Sequence, residues 1–310
     1  MAYTLAEASK YATNQVLSGV VETIVKEAPI LSLLPFMEVN GNALQYNREN
    51  AMSSVAWYDP GDTWTEGTNT VTQVTAALKI LGGDADTDQF LARSRSSFAD
   101  LEAETIIGKS KAMAHQFEND LIYGDTAVNA KQFDGIHKLL NGLSGQQIHA
   151  GSGTTGAAGT LSNLDALIDL IRPGKPDCLV MSRRTRRGIS ALRRSQGHVL
   201  DSEVNLFGTR VSFYDGIPIF VNDFISDVEA IASGSFSAST GGATSSIFAL
   251  KFGLEGLQGI ESGGISVEPI GALETKDAHR NRVKWYVSLA LFATLGIARY
   301  DGITSAAWTN

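Results

Sequence analysis

The sequence predicts an α+β fold, and three observations carry that prediction. One run of helical spacing, near residues 97–123, is far longer than any other. Strand-like alternation is concentrated before and after that run. The helices between are short and separated by single strands. A chain of 310 residues is roughly two domains' worth, and its 43% hydrophobic content is enough for a sizeable core. Only 19% of residues are charged while 31 are glycine, so much of the chain is expected in strands, turns and loops.

From the N-terminus, residues 1–28 are helix-permissive, with Leu5, Ala8, Ala12, Leu17, Val20 and Ile24 on loosely helical spacing. Pro29 and Pro35 interrupt, and the apolar stretch Ile30–Met37 is too short to stand alone, which reads as an arm packed on something larger. Two strand-like runs, Ala43–Tyr58 and Thr70–Ile80, flank the turn-rich tip Asp59-Pro-Gly-Asp-Thr-Trp-Thr-Glu-Gly-Thr-Asn69. A lone two-stranded ribbon is marginal in water, so this one needs a surface, and a neighbouring subunit is a candidate. The long helix is expected from a Ser97 cap, with Asp100 three residues on, to about Tyr123. Ile106, Met113, Phe117 and Leu121 recur along it, and Gly124-Asp125 ends it. A second helix is expected from a Ser162 cap to Ile171, then a strand at Asp177–Met181 and a third helix at Arg183–Ser195. A β run from Thr209, the strand Ile217–Val221, a low-complexity loop at Ala232–Ser246 and a strand at Ile247–Lys251 follow. Finally Val283, Trp285, Val287, Leu289, Leu291, Ala293, Leu295 and Ile297 keep strict period two, which predicts one long strand in a substantial sheet.

Several functional classes are disfavoured. The 25 Lys+Arg against 33 Asp+Glu give a net charge of −8, the wrong sign for a protein that grips nucleic acid or membrane over its whole surface. The single Cys178 rules out an internal disulfide and reads as a buried strand residue folded in a reducing cytoplasm. No secretory signal is legible, and the apolar stretch Tyr286–Ala298 is shorter than the ~20 residues of a membrane helix. Gly151-Ser-Gly153-Thr-Thr-Gly156 matches a dinucleotide-binding fingerprint, yet the helix expected after it starts too late to present its N-terminus to a pyrophosphate, so a loop is the reading. His115, His137, His149, His198 and His279 share no metal-ligand spacing, and no carboxylate pair or nucleophile motif stands out. Neither cofactor nor enzymatic chemistry is expected.

Two surface features stand out instead. Arg183, Arg184, Arg186, Arg187, Arg193 and Arg194 fall within twelve residues of an otherwise acidic chain. They read either as contacts to a phosphate backbone or as ion pairs with acidic neighbours within or between subunits; the net charge favours the second. Trp57, Tyr58 and Trp64 sit at the ribbon tip, where exposed aromatics suit intersubunit docking, with a local minicore as the alternative.

The order of parts resembles the major capsid proteins of the Hong Kong 97 fold of tailed double-stranded DNA phages. Leu121-Ile-Tyr-Gly-Asp125 through Phe133-Asp-Gly-Ile136 is similar to that family's turn after its long helix, and Asp177-Cys-Leu-Val-Met-Ser182 and Gly216-Ile-Pro-Ile-Phe-Val221 are similar to its axial-domain strands. The resemblance implies an N-terminal arm (1–40), an extended E-loop hairpin (41–81), and a P-domain (82–138) including a spine helix at 97–123. It further implies an A-domain (139–260), a P-domain β-hairpin with its P-loop (261–298), and a C-terminal segment (299–310). It also implies self-assembly as hexamers and pentamers into an icosahedral head enclosing DNA held non-specifically, with portal and scaffolding proteins and a possible decoration protein as partners. Localisation would be the virion, assembled in the host cytoplasm. His279, Arg280 and Arg282, near the P-loop, join the tip aromatics as candidate intersubunit contacts. An encapsulin-like nanocompartment is the alternative within the same fold.

Two departures from the family pattern matter. No lysine lies between Lys26 and Lys79, so the ribbon tip cannot supply the amine of the cross-link some relatives make, although Asn281 sits near where the acceptor falls. A shell held without covalent cross-links is expected. The chain also lacks the extra N-terminal helical domain that serves some relatives as scaffold, which implies a separate scaffold protein or a removed pro-segment.

Overall fold

The computed structural model describes residues 29–95, 101–151, 156–197, 201–204, 210–230 and 241–310. The arm 1–28, the expected Ser97 cap, His198, and the interior of the glycine-rich and low-complexity loops lie outside the described residues. In chain order, the short helix α1 (Ile30–Leu33) and strand β1 (Phe36–Glu38) lead into ribbon strands β2 (Ala43–Ala51) and β3 (Thr70–Ala77). Strand β4 (Lys79–Asp88), helix α2 (Gln89–Arg95), the long helix α3 (Leu101–Tyr123) and α4 (Ile136–Leu140) follow. The middle region contains β5 (Gln147–His149), α5 (Leu161–Asp169), β6 (Cys178–Met181), α6 (Arg183–Ser195), β7 (Asp201–Val204), β8 (Arg210–Tyr214) and β9 (Ile217–Val221). The chain closes with β10 (Ser245–Leu250), β11 (Leu257–Ala272), β12 (Ala278–Leu291) and β13 (Ile297–Ile303).

These elements make two sheets and a ribbon. One sheet has four strands in the order β1-β11-β12-β4, and the other has seven in the order β5-β13-β10-β6-β9-β8-β7. Helix α3 lies on the four-stranded sheet with Met113, Phe117 and Leu121 turned inward, the stripe its spacing predicts. Phe117 meets Trp285 of β12 at 4.9 Å and Phe36 of β1 at 6.1 Å between ring centroids. The seven-stranded sheet is covered on both faces, which is why β6 is buried throughout. Cys178 and Val180 point toward α3 and α4, while Leu179 and Met181 point toward α5 and α6. Burial pushes the Cys178 thiol well up, so it is an inert core group.

The segment after Pro29 packs onto helix α3. Ile30 and Leu34 are buried, and the Leu31 N–H donates to Glu118 Oε1 of α3 at 2.7 Å. The buried Glu118 also accepts from Asn222 Nδ2 at 3.0 Å, and burial pushes its carboxyl above the ordinary range despite these bonds.

Three expectations need correction. The alternating run Val283–Ile297 is two strands: β12 ends at Leu291, a 3₁₀ turn at Thr294–Gly296 intervenes, and β13 enters the other sheet. Gly296 allows that turn, because a Cβ there would lie 2.4 Å from the Gly256 Cα. The residues 299–310 set apart in sequence therefore begin inside the seven-stranded sheet. The helix expected from Ser162 begins at Leu161, with Thr160 as cap accepting from the Asn163 N–H at 3.1 Å, and ends at Asp169. The first ribbon strand stops at Ala51 and does not reach Tyr58.

One buried polar cluster ties the seven-stranded sheet to helices α3 and α4 and to the turn that carries Glu229. Glu229 and Arg299 are each 1% exposed, and Arg299 Nη2 donates to Glu229 Oε2 at 3.1 Å. Arg299 Nε donates to Ser246 Oγ of β10 at 3.0 Å, the Ser246 hydroxyl donates to Glu229, and the Tyr123 hydroxyl at the end of α3 donates to Glu229 Oε1 at 2.6 Å. His137 of α4 lies 3.4 Å from the same carboxylate. Burial alone would raise the Glu229 carboxyl, but the His137 and Ser246 hydrogen bonds and the Arg299 charge hold it down at about 2. Burial lowers the His137 imidazole below its ordinary value, against the pull of the neighbouring Glu229 carboxylate.

Two predictions follow from this packing. Gly135 sits against the end of α3, where an added Cβ would lie 2.5 Å from the Asp120 carbonyl oxygen and 2.8 Å from the Gly124 nitrogen. Gly135→Ala is expected to cost about 1–3 kcal/mol through forced backbone displacement, read as a lower urea midpoint. Arg299→Met leaves the Glu229 carboxylate buried without its cation and is expected to cost about 3–5 kcal/mol. The Glu229 contribution is complete above its ordinary value of 4.5 and is lost as pH falls toward 2. His137 adds a loss that begins as pH falls below 6.5, because its lowered value makes protonation favour the unfolded chain. Urea titrations across this range should show both phases in the parent protein, with the Glu229 phase reduced in Arg299→Met.

Candidate functional site

The ribbon is anchored at its base and bare at its tip. Leu44, Tyr46, Ala76 and Leu78 pack with Met37, Val39, Ile260, Ala290 and Phe292. The Tyr46 hydroxyl donates to the Leu291 carbonyl at 2.7 Å, and Arg48 Nε donates to the Phe292 carbonyl at 3.2 Å. The chain's own sheet thus supplies part of the surface that the ribbon needs. Beyond Arg48 that support ends: Val55 is 92% exposed, Trp57 102% and Trp64 77%. The tip nevertheless has internal order. Tyr58 and Trp64 stack at 4.3 Å, the Tyr58 hydroxyl bonds the Thr65 hydroxyl at 2.7 Å, and Asn69 Nδ2 donates to Glu49 Oε1 at 2.7 Å. Tyr58 and Trp64 therefore form a small local stack, while Trp57 points away with nothing against it. Asp59, Asp62 and Glu66 give this tip a net negative charge, since no lysine or arginine falls between Arg48 and Lys79.

The end of the β11–β12 hairpin is a ladder of cross-strand charges. Arg280 faces Asp86 in register and donates to both its oxygens at 2.6 and 2.8 Å, and Lys276 Nζ reaches Asp86 Oδ2 at 2.7 Å. Arg282 makes the same two-pronged contact with Asp84 at 2.7 and 3.1 Å, and Lys284 pairs with Glu268 at 2.6 Å. The hydrogen bonds from Arg280 hold the Asp86 carboxyl far below its ordinary range, outweighing its burial, and Arg282 does the same more mildly for Asp84. Arg280 and Arg282, expected as intersubunit contacts, are thus engaged within the chain, where they stiffen the hairpin. His279 is half-buried opposite Thr87 on β4. Asn281, near the expected cross-link acceptor, is buried and donates to Glu102 Oε1 at 2.6 Å.

Helix α6 sorts its six arginines. Ser182 caps it, accepting from the Thr185 N–H at 3.3 Å, and Ile189 is buried beneath. Arg183 grips Asp223 through Nε and Nη2 at 2.6 and 2.9 Å, and Arg184 lies 3.4 Å from Asp227. Arg193 stacks over the Tyr214 ring at 5.6 Å. Ion pairing within the chain thus accounts for two of the six. Among the described residues, Arg186, Arg187 and Arg194 have no ion pair.

The described residues contain no group of three His, Cys, Asp or Glu placed to hold a metal, and no described helix is long and apolar enough to cross a membrane. The Tyr123–His137–Glu229–Arg299 cluster, which carries catalytic residue types, is closed to solvent and acts as a structural joint. Sequence reasoning missed it; the one local signal was the charged pair Arg299 and Asp301 inside a strand that is otherwise without charge.

No curated protein matches the sequence. Among solved structures, the chain is similar to the holo-SrpI encapsulin of Synechococcus elongatus PCC 7942, with 18% identity over 100% of this chain and 99% of that one and a TM-score of 0.73. It is also similar to the capsid of a native GTA particle, with 15% identity over 96% and 97% and a TM-score of 0.65. A structure from Microbacterium phage Oxtober96 is similar with 13% identity over 99% of each chain and a TM-score of 0.65. At such identities these likenesses speak to the fold alone, and the fold is that of Hong Kong 97-like capsids. The model of the phage capsid family matches residues 11–251, more than three quarters of the sequence, and the chain belongs to that family.

Proposed function

We propose that this chain is the major capsid protein of a tailed phage, and that its copies assemble as hexamers and pentamers into an icosahedral head around double-stranded DNA. The observation that carries the assembly reading is the ribbon: its base is packed on its own sheet while its aromatic tip is left in water. Exposed tryptophans on an ordered projection are poor surface residues for a solitary protein and good anchors for a neighbour. The role is structural, without catalysis or cofactor. Portal and scaffolding proteins, a possible decoration protein and non-specifically held DNA are the further partners of this reading, with assembly in the host cytoplasm and residence in the virion. The tip aromatics are the proposed intersubunit anchors, and His279 with the Arg280–Arg282 ladder forms a second, stiffer contact edge.

A second reading, an encapsulin-like nanocompartment shell, is favoured by the likeness to the SrpI encapsulin. Nucleic acid inside native particles distinguishes the head from the compartment, which would hold protein cargo.

The test is assembly of the purified chain, followed by negative-stain microscopy and light scattering. The parent protein is expected to form rings or shells. Trp57→Ala/Trp64→Ala is expected to remain folded by circular dichroism yet lose about 2 kcal/mol per anchor, roughly thirtyfold each in association. A parent protein that stays a compact monomer at every concentration contradicts the reading.

A further inference from the structure

We infer that the groove between helix α6 and the C-terminal segment is a docking site for an acidic segment of a second copy of this chain. This inference rests on the assembly reading above and adds a contact to it. The groove has a volume of about 460 Å³ and is walled on one side by Arg184, Arg187 and Arg194. Its floor is apolar, formed by Ala191, Leu192 and Trp308, with Trp308 seated directly against Gly188 of the helix. The walls are held from within. Arg184 Nη2 donates to the Ile303 and Ala243 carbonyls at 3.4 Å, and Gln196 donates to Asn310, tying the helix end to the chain end.

Charge identifies the occupant. Arg183 and Arg184 are matched by Asp223 and Asp227, but Arg187 and Arg194 are exposed on the groove's rim and have no partner among the described residues. Copies carrying a net charge of −8 repel one another, so close association requires cations set locally against a neighbour's carboxylates. Two unmatched guanidiniums beside an apolar floor fit a peptide that offers carboxylates and an apolar side chain together. The net charge of −8 opposes a phosphate backbone as the occupant.

The test uses the full chain. Arg187→Glu/Arg194→Glu removes no ion pair seen within the described residues, so its circular dichroism and thermal midpoint should match the parent, while the concentration needed for assembly should rise at least tenfold. Arg187→Ala/Arg194→Ala, which adds no charge, is run alongside and should show a smaller rise in the same direction. A photoreactive phenylalanine analogue replacing Ala191 should, in assembled particles, cross-link to an acidic peptide of another copy. Assembly of both variants at the parent concentration overturns the inference, as does a cross-link to nucleic acid or a variant that forms normal shells but loses DNA. Failure of the parent protein itself to assemble overturns the shell reading and this inference together.

Discussion

The buried Glu229–Arg299 pair is the interaction on which the rest of the architecture depends. It lies where the end of the long helix, the seven-stranded sheet and the Asn222–Ala230 turn meet, and each contributes a group to one carboxylate. A charge pair removed from water is costly unless every remaining lone pair and proton is matched. Here the Tyr123 and Ser246 hydroxyls donate to Glu229, His137 Nε2 lies 3.4 Å from the same carboxylate, and Asp301 lies 3.5 Å from Arg299 Nη1. Such a cluster tolerates little displacement. Together with the continuous chain from β12 to β13, it makes the two sheets and the long helix one rigid unit.

Rigidity there gives meaning to incompleteness elsewhere. The ribbon leaves this unit from β4 and from the turn after β1, and Tyr46 and Arg48 clamp its first half to the Leu291 and Phe292 carbonyls. The direction of the projection is therefore set by the body, while its tip has no partner within the described chain. The same contrast recurs at the hairpin end and on the arginine helix. Arg280 and Arg282 are used internally to hold strands together; Arg187 and Arg194 are left over. A subunit meant to tile needs both kinds of surface: stiff edges that keep their shape and unmatched groups that a copy completes.

Much of this was legible in the sequence, and the failures have physical causes. The Met113–Phe117–Leu121 stripe and the arginine helix Arg183–Ser195 were readable because helical periodicity is local. The ribbon was readable from two alternating runs around a turn-rich tip, and the match of the glycine turn after the long helix reflects real crowding, since Gly124 and Gly135 both press against the Asp120 carbonyl. Alternation across Val283–Ile297 misled because period two records which face a residue takes and not which sheet the strand joins. The Glu229–Arg299 pair was missed because its members are 70 residues apart, and the charge of Arg299 within its strand does not say which carboxylate meets it. For the arginines, sequence could count charges but not sort them; only the positions of Asp223 and Asp227 separate the paired from the unpaired.

If the fold is finished by its neighbours through the ribbon, a high-resolution cryo-electron microscopy reconstruction of particles formed by the purified chain will show it. Trp57 and Trp64 are then expected to be buried against an adjacent copy while the Glu229–Arg299 joint is unchanged. Particles in which the ribbon tip stands free in solvent, with subunits held only through other surfaces, would contradict it.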